Sequence, residues 1–459
     1  MVHNPQIDND LGQPDTIAAI ATPPGFGGIG VIRISGEKSL DLVYLLTGLR
    51  PEPRRAVLCK FYDRHGDVVD EGIALYFPSP CSYTGEAVCE LQCHGAPVVL
   101  NLVMQRLVEL GARIAQPGEY TKRAFLNGKL DLSQAEAVAD LINSSTEAAA
   151  KSAMRSLDGE FSAQVDSIIQ RLVKLRVYVE AAIDFPEEEI DFLDDRKLMN
   201  QITDISTMLD HLLFRTAAGR LLRDGVSTAI AGLPNAGKSS LMNRLLGEDR
   251  VIVTPQAGTT RDTVDAHIDI NGLAVRFIDT AGLRSSSDAV ESQGISRAWD
   301  AINAADISLY VIDSSLGVTD DDRKNLRQLD PSTTVLVWNK IDLTGQIDPS
   351  PIDEFYCEAF VSALRGDGIE QIHSAIAAIF GFDADNTEST FIARRRHIAA
   401  IKSAHRFVDS AFHALDEQKA GELASQDLRD AMMELGKITQ VPSSDELLGE
   451  IFSSFCIGK

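Results

Sequence analysis

Gly232-Leu233-Pro234-Asn235-Ala236-Gly237-Lys238-Ser239 sets two glycines, a lysine and a hydroxyl at the spacing that a polyphosphate requires. In a G-x4-GK[ST] loop, backbone N–H groups and the N-terminus of the following helix wrap the phosphates, the lysine neutralises the β- and γ-phosphates, and the hydroxyl ligates Mg2+. Here Lys238 and Ser239 take the two side-chain roles, and Asn235, Ala236, Gly237 and Ser240 complete the cradle. A plain glycine-rich turn has no use for the Lys-Ser pair.

Asn339-Lys340-Ile341-Asp342 suits a base reader. The Asp342 carboxylate can accept from the N1–H and 2-amino group found together only on guanine, and the Asn339 amide can reach the purine edge. Ser362 and Ala363, at the end of the last strand-like run, resemble the back wall of such a pocket. Asp279-Thr280-Ala281-Gly282 reads as a γ-phosphate sensor, and Thr259 or Thr260 as the switch threonine. Four motifs in this order predict GTP hydrolysis.

The residue after that sensor is Leu283, where Ras-like enzymes carry the glutamine that orients water. Glu291, in the segment that follows, is a carboxylate able to orient or polarise it instead. No arginine finger is assignable. A monovalent cation could supply the same charge, with oxygen ligands from Asn235 and from carbonyls of the Thr254-Pro255-Gln256-Ala257-Gly258-Thr259 segment.

These motifs need an open parallel sheet. Apolar runs VSTAIAG, LAVRFIDT, ISLYVID, TVLVWNK and EAFVSA alternate with helical stretches over 226–380, which predicts a Ras-like α/β domain. Residues 1–128 carry short β-like runs punctuated by Gly and Pro and read as a small α+β domain. GFGGIG there precedes a strand instead of a helix and is expected to be a turn. Residues 129–225 show apolar spacings of three and four with a single evident break at DFPEEEIDFLDD, whose acids suit a solvated helix start. Helical character returns over 381–459, so the α/β domain is expected to interrupt one helical domain.

Across 459 residues the formal charge is −24, which repels phosphate backbones unless a local basic patch intervenes. Arg394-Arg395-Arg396 reads as a charged helix face and is also the best local candidate for touching RNA. No apolar run reaches membrane-spanning length, and MVHNPQIDND lacks the order of a signal peptide, so a cytoplasmic protein with reduced cysteines is expected. Cys89, Cys93 and His94 form a half-site at most, with no second pair to complete a metal centre.

The chain as a whole resembles the tRNA-modification GTPase MnmE (TrmE) family. The resemblance rests on ATPPGFGGIGVIRISG, PGEYTKRAFLNGKLDLSQAEAVADLI, AAIDFPEEEID and the terminal CIGK. It implies a homodimer with an N-terminal folate-binding domain, a helical domain, and an inserted potassium-dependent G domain. The family works with the FAD enzyme MnmG on C5 of the wobble uridine of tRNA, using 5-formyltetrahydrofolate or a related tetrahydrofolate. Carried onto this sequence, the folate contacts are Arg33, Glu90, Lys129 and Lys459; the potassium ligands are Asn235, Thr254, Gln256 and Thr259. Thr260 joins Ser239 on Mg2+, Glu291 positions water, and Cys456 is the tail cysteine, either chemical or structural. CELQCHGAP departs from the family pattern by Cys93 and Ala96 in place of glycines, and SAL at 362–364 departs from SAR. An RNA-binding or ribosome-assembly switch GTPase is the alternative, and a folate enzyme with a vestigial nucleotide site a third.

Overall fold

The computed structural model describes residues 15–184, 196–248, 251–253, 266–279, 299–344, 355, 357–380, 390–440, 451–452, 455 and 458. The chain forms two compact units, one of the described residues up to Ala139 together with those from Thr439 onward, the other Asp140–Ile438. Among the described residues no helix is long and apolar enough to cross a membrane.

In the first unit, β1 (Ile17–Ile20), β2 (Gly27–Ser35), β3 (Val57–Tyr62), β4 (Val68–Phe77), β5 (Val88–Gly95) and β6 (Arg113–Ile114) make one sheet in the order β3-β4-β5-β2-β1-β6. Alternation places Cys89, Leu91 and Cys93 of β5 in the core with Ile32 and Ile34 of β2, while His94 faces out and meets Asp70 at 2.7 Å. Burial pushes the Cys59 thiol up to about 11 and the Cys89 and Cys93 thiols up to about 12. These sulfurs are packing groups, and no cluster of metal-ligating side chains occurs among the described residues. The glycine run expected to be a turn instead enters the ladder. Gly27 pairs with Gly95 and Gly30 with Cys93 across an irregularity in register, and a Cβ on Gly95 would sit 2.5 Å from the Gly27 carbonyl oxygen. Glycine serves close strand approach here.

Among its described residues the second unit holds a helical core and a core on each face of a sheet. Buried positions recur at Phe161, Val165, Ile168, Leu172, Leu175 and Val179 in helix Glu160–Asp184, the three-and-four spacing of one helix face. Helices Arg196–Asp224, Arg395–Asp416 and Gly421–Thr439 bury matching faces, and the four share one hydrophobic core. More breaks occur than the one expected. Helix Glu147–Leu157 starts anew because the Thr146 hydroxyl accepts from the Ala149 N–H at 3.1 Å, a cap hidden inside an alanine-rich run. Gly219 lies where the chain returns at Phe391: a Cβ there would stand 1.5 Å from the Phe391 carbonyl oxygen.

The other two cores cover the faces of a seven-stranded sheet of order β13-β12-β11-β7-β10-β9-β8. Its strands are β7 (Val226–Gly232), β8 (Val251–Val253), β9 (Ala266–Ile270), β10 (Leu273–Asp279), β11 (Ile307–Asp313), β12 (Thr334–Asn339) and β13 (Cys357–Val361). All pairs from β13 to β10 are parallel, whereas β9 pairs antiparallel with both β10 and β8. The central strands are apolar on both faces, as a sheet covered on both sides requires.

Candidate functional site

Register places the phosphate loop and the base-reading segment at one edge of this sheet. Gly232 stands opposite Val311, Asp313 opposite Asn339, and Asn339 opposite Val361, so the carboxyl ends of β7, β11, β12 and β13 converge. Ligands of open α/β sheets bind at such an edge. Gly232 leaves β7 at φ 139°, where a Cβ would strike the Val311 carbonyl oxygen at 2.3 Å. Asn235 at φ 63° and Gly237 at φ 98° then turn the loop, and left-handed positions of this kind direct successive N–H groups to one concave side. Helix Lys238–Glu248 begins at once. The Lys238 ammonium donates to the carbonyls of Gly232 at 2.9 Å and Leu233 at 2.8 Å, and Ser239 and Ser240 are exposed in the first turn.

Asn339 does something its motif alone does not reveal. At 2% exposure, its Nδ2 donates to the Ala236 carbonyl at 2.9 Å and its Oδ1 accepts from the Ala363 N–H at 3.0 Å. One side chain therefore ties the phosphate loop to the segment after β13. The fit is close: a Cβ on Gly237 would lie 2.2 Å from Asn339 Nδ2. Base reading then falls chiefly to Asp342, whose Oδ1 accepts from the Ser362 hydroxyl at 2.6 Å. The Ser362 oxygen in turn accepts from the Arg365 N–H at 3.2 Å.

Lys340 belongs to its motif but the strap it makes does not follow from it, and neither Asp313 nor Arg244 lies in any motif. Lys340, at φ 68°, donates to the Asn235 carbonyl at 2.8 Å and to the Asp313 carboxylate at 2.6 Å, strapping β11 to the phosphate loop. Burial alone would raise the Asp313 carboxyl, but the Lys340 ammonium and the Ser315 donors hold it below the ordinary carboxylate value. Arg244 donates to the carbonyls of Ala363, at 3.1 Å, and Leu364, steadying the same segment from the helix side. An acid at the carboxyl end of a strand, as in VID, was the available sign for Asp313.

Asp279 ends β10, its backbone in register with Ile230, and its side chain lies outside the described residues. So do Thr254, Pro255, Gln256, Ala257, Gly258, Thr259, Thr260, Thr280, Ala281, Gly282, Glu291, Cys456 and Lys459.

In the first unit, Arg33 and Glu90 stand opposite each other on β2 and β5 and pair at 2.8 Å, each about a fifth exposed. The Arg33 guanidinium lies 5.4 Å from the Tyr83 ring centroid and 5.8 Å from that of Tyr120, whose hydroxyl donates to the Arg33 carbonyl at 2.6 Å. Lys129 reaches the Pro80 carbonyl at 3.3 Å, and its Cγ approaches Gly85, so it borders the loop that carries Tyr83. The described residues near the C-terminus pack on this unit as well. Phe455 is buried against Phe452 at 5.4 Å, and a Cβ on Gly458 would lie 2.5 Å from the Ile20 carbonyl oxygen. Ile20 is the strand partner of Ile32, the neighbour of Arg33.

Comparison with known proteins agrees with this arrangement of segments. The family model described as the MnmE helical domain matches residues 132–456, and that of the GTP-binding protein TrmE N-terminus matches residues 16–129. The tRNA modification GTPase MnmE of Nitrosomonas europaea is 49% identical over 449 residues, covering 97% of this chain and 99% of that protein. The chain belongs to the MnmE family of tRNA modification GTPases. The MnmE of Chromohalobacter salexigens is likewise 49% identical, covering 98% of this chain and 99% of its own. A solved G domain of the T. maritima FeoB iron transporter is 27% identical and covers 34% of this chain and 98% of its own length. Its TM-score of 0.25 adds nothing to the assignment. As an MnmE family member, the chain is a multidomain α/β protein with a TrmE-type N-terminal domain, a helical domain and a Ras-like P-loop G domain.

Proposed function

We propose that this MnmE family member uses Mg2+ and K+ in hydrolysing GTP and, as a homodimer acting with the FAD-dependent MnmG, modifies C5 of the wobble uridine of tRNA. The one-carbon unit comes from 5-formyltetrahydrofolate or a related tetrahydrofolate, and the product is aminomethyl or carboxymethylaminomethyl uridine. The organisation we infer is 1–128 for folate and dimerisation, 129–225 and 381–459 for the helical domain, and 226–380 for the G domain.

The observation that carries the nucleotide part is the Ser362-held Asp342 carboxylate beside a phosphate loop braced by Asn339. Asp342 Oδ1 is occupied by the Ser362 hydroxyl, and Oδ2 has no partner among the described residues, so an acceptor is held ready for guanine's N1–H and 2-amino group. Lys238 would exchange its loop carbonyls for β- and γ-phosphate oxygens, and the exposed Ser239 hydroxyl in the first helical turn suits an Mg2+ ligand. Asn235 suits K+ by donor type, together with Thr254, Gln256 and Thr259; Thr260 would complete the Mg2+ set and Glu291 would orient water. The cation's contribution is positive charge where the β,γ-bridge becomes negative.

For the one-carbon part, support comes from the first unit. Arg33 lies near two aromatic rings and against Glu90, a set suited to a flat heteroaromatic ring with polar edges. Gly458 lies against Ile20, the strand partner of the residue next to Arg33, which supports assigning the terminal CIGK segment to this site; Cys456 and Lys459 themselves lie outside the described residues. GTP turnover in KCl against NaCl at equal ionic strength and saturating Mg2+ tests the cation. Faster turnover in KCl is expected, and equal rates would refute it. Mass spectrometry of wobble uridines from a deletion strain, with and without the gene restored, tests the tRNA reaction.

A further inference from the structure

Arg394, Arg395 and Arg396 share a run of sequence but not a role. Arg394 is largely buried and pairs with Asp140 at 3.1 Å. Arg396 donates to the carbonyls of Lys437 at 2.7 Å and Ile438 at 3.3 Å, satisfying the end of helix Gly421–Thr439. Arg395, first residue of its helix, is exposed and lines a cavity of about 310 Å³ together with Arg220, Arg276 and His267. The carboxylates there are already engaged: Asp224 accepts from Arg223 at 2.8 Å, and Asp306 accepts from the Ser227 N–H at 2.9 Å and hydroxyl at 2.6 Å. Arg220 and Arg395 have no ion-pair or hydrogen-bond partner among the described residues.

The cavity lies away from the nucleotide edge. Ser227 is near the start of β7, in register with Arg276 of β10, whereas the phosphate loop leaves β7 at Gly232. At ~3.3 Å per residue the two ends of this strand are roughly 20 Å apart. The lining offers guanidinium groups from three separate elements but no glycine-rich loop and no phenyl or indole platform for a base. Guanidinium forks from several elements suit phosphodiester oxygens, which they can hold bidentately. In a chain of formal charge −24, a polyanionic substrate needs a local concentration of cations of this kind.

We propose that this cavity is a docking site for backbone phosphates of the tRNA substrate, held by Arg220, Arg276 and Arg395. The inference rests on the tRNA reading above, and its test is separable from it. The full chain and the triple variant Arg220→Gln/Arg276→Gln/Arg395→Gln are compared for binding of an unmodified tRNA transcript by filter retention across a salt series. GTP turnover without tRNA serves as the check on folding and should not change. The variant should bind at least about tenfold more weakly near physiological salt, and its slope of log K against log salt should shrink by roughly 2–3, about one per lost phosphate contact. Equal affinity and equal slope would overturn the proposal. So would loss of inorganic phosphate binding, read by calorimetry, with tRNA affinity unchanged, since that marks a small-anion site. Modified uridines persisting in a deletion strain would remove the tRNA-modification reading, while the salt-slope comparison would still judge the cavity.

Discussion

Replacing Asn339 by alanine isolates the strut that joins the phosphate loop to the segment after β13. The side chain serves two backbone groups, the Ala236 carbonyl and the Ala363 N–H, in residues that are 3% and 6% exposed. Leaving a buried backbone group unsatisfied costs about 1–3 kcal/mol, so two of them, with some relief from water, should cost about 2–4 kcal/mol. The chain's two tryptophans, Trp299 and Trp338, both pack in the core beside β11 and β12, and Trp338 adjoins Asn339. Their fluorescence therefore reports unfolding of the G-domain sheet without contribution from the first unit. With an urea m-value of about 2 kcal/mol/M, the midpoint of nucleotide-free protein should fall by about 1–2 M. Nucleotide must be absent, because ligand binding to the folded state adds stability by mass action. Asp342→Ala removes one partner of Ser362 but leaves the Arg365 contact to that oxygen, so its midpoint should stay nearly unchanged while guanine affinity is lost. An Asn339→Ala midpoint within about 0.3 M of the parent would refute the strut argument.

Asp342→Asn should weaken GTP binding and favour xanthosine triphosphate, because the amide can donate to the xanthine 2-oxo group where the carboxylate accepted an amine; competition binding with the two nucleotides reads this, and an unchanged preference would remove Asp342 as the base reader. Gly219→Ala forces a Cβ to within 1.5 Å of the Phe391 carbonyl oxygen before any relaxation, so the backbone must part. A loss of about 1–3 kcal/mol is expected from such overpacking, seen as a lower helical melting temperature by circular dichroism, and an unaltered melt would show that the two segments yield freely. Cys456→Ser should preserve GTP turnover and folate binding while abolishing uridine modification, since serine matches the thiol in size but not in nucleophilicity; wild-type levels of modified uridine in the variant strain would assign the tail cysteine a packing role instead.

Sequence alone determined the features whose cause lies within a few residues. The Lys-Ser pair after the glycines announces phosphate chemistry because loop, charge and helix start are contiguous, and NKID announces guanine because the carboxylate's chemistry is its own. The apolar spacing from Phe161 to Val179 likewise marks a buried helix face wherever the partner helices come from. Tertiary structure decided whatever depends on a partner distant in the chain. Asn339 is a strut because the fold brings it to a carbonyl 103 positions away, and no spacing rule records that. Glycines 27 and 30 sit in a strand because β5 pairs with them, Gly95 against the Gly27 carbonyl and Leu100 filling the space beside Gly30, which a local reading takes for a turn. Three adjacent arginines acquire different roles because Arg394 caps the helix in extended backbone while Arg395 and Arg396 inside it point some 100° apart, so one meets Asp140, one faces a cavity, and one reaches a helix end. A side chain's chemistry is written in its type, but its partner is chosen by which surfaces the hydrophobic cores bring together.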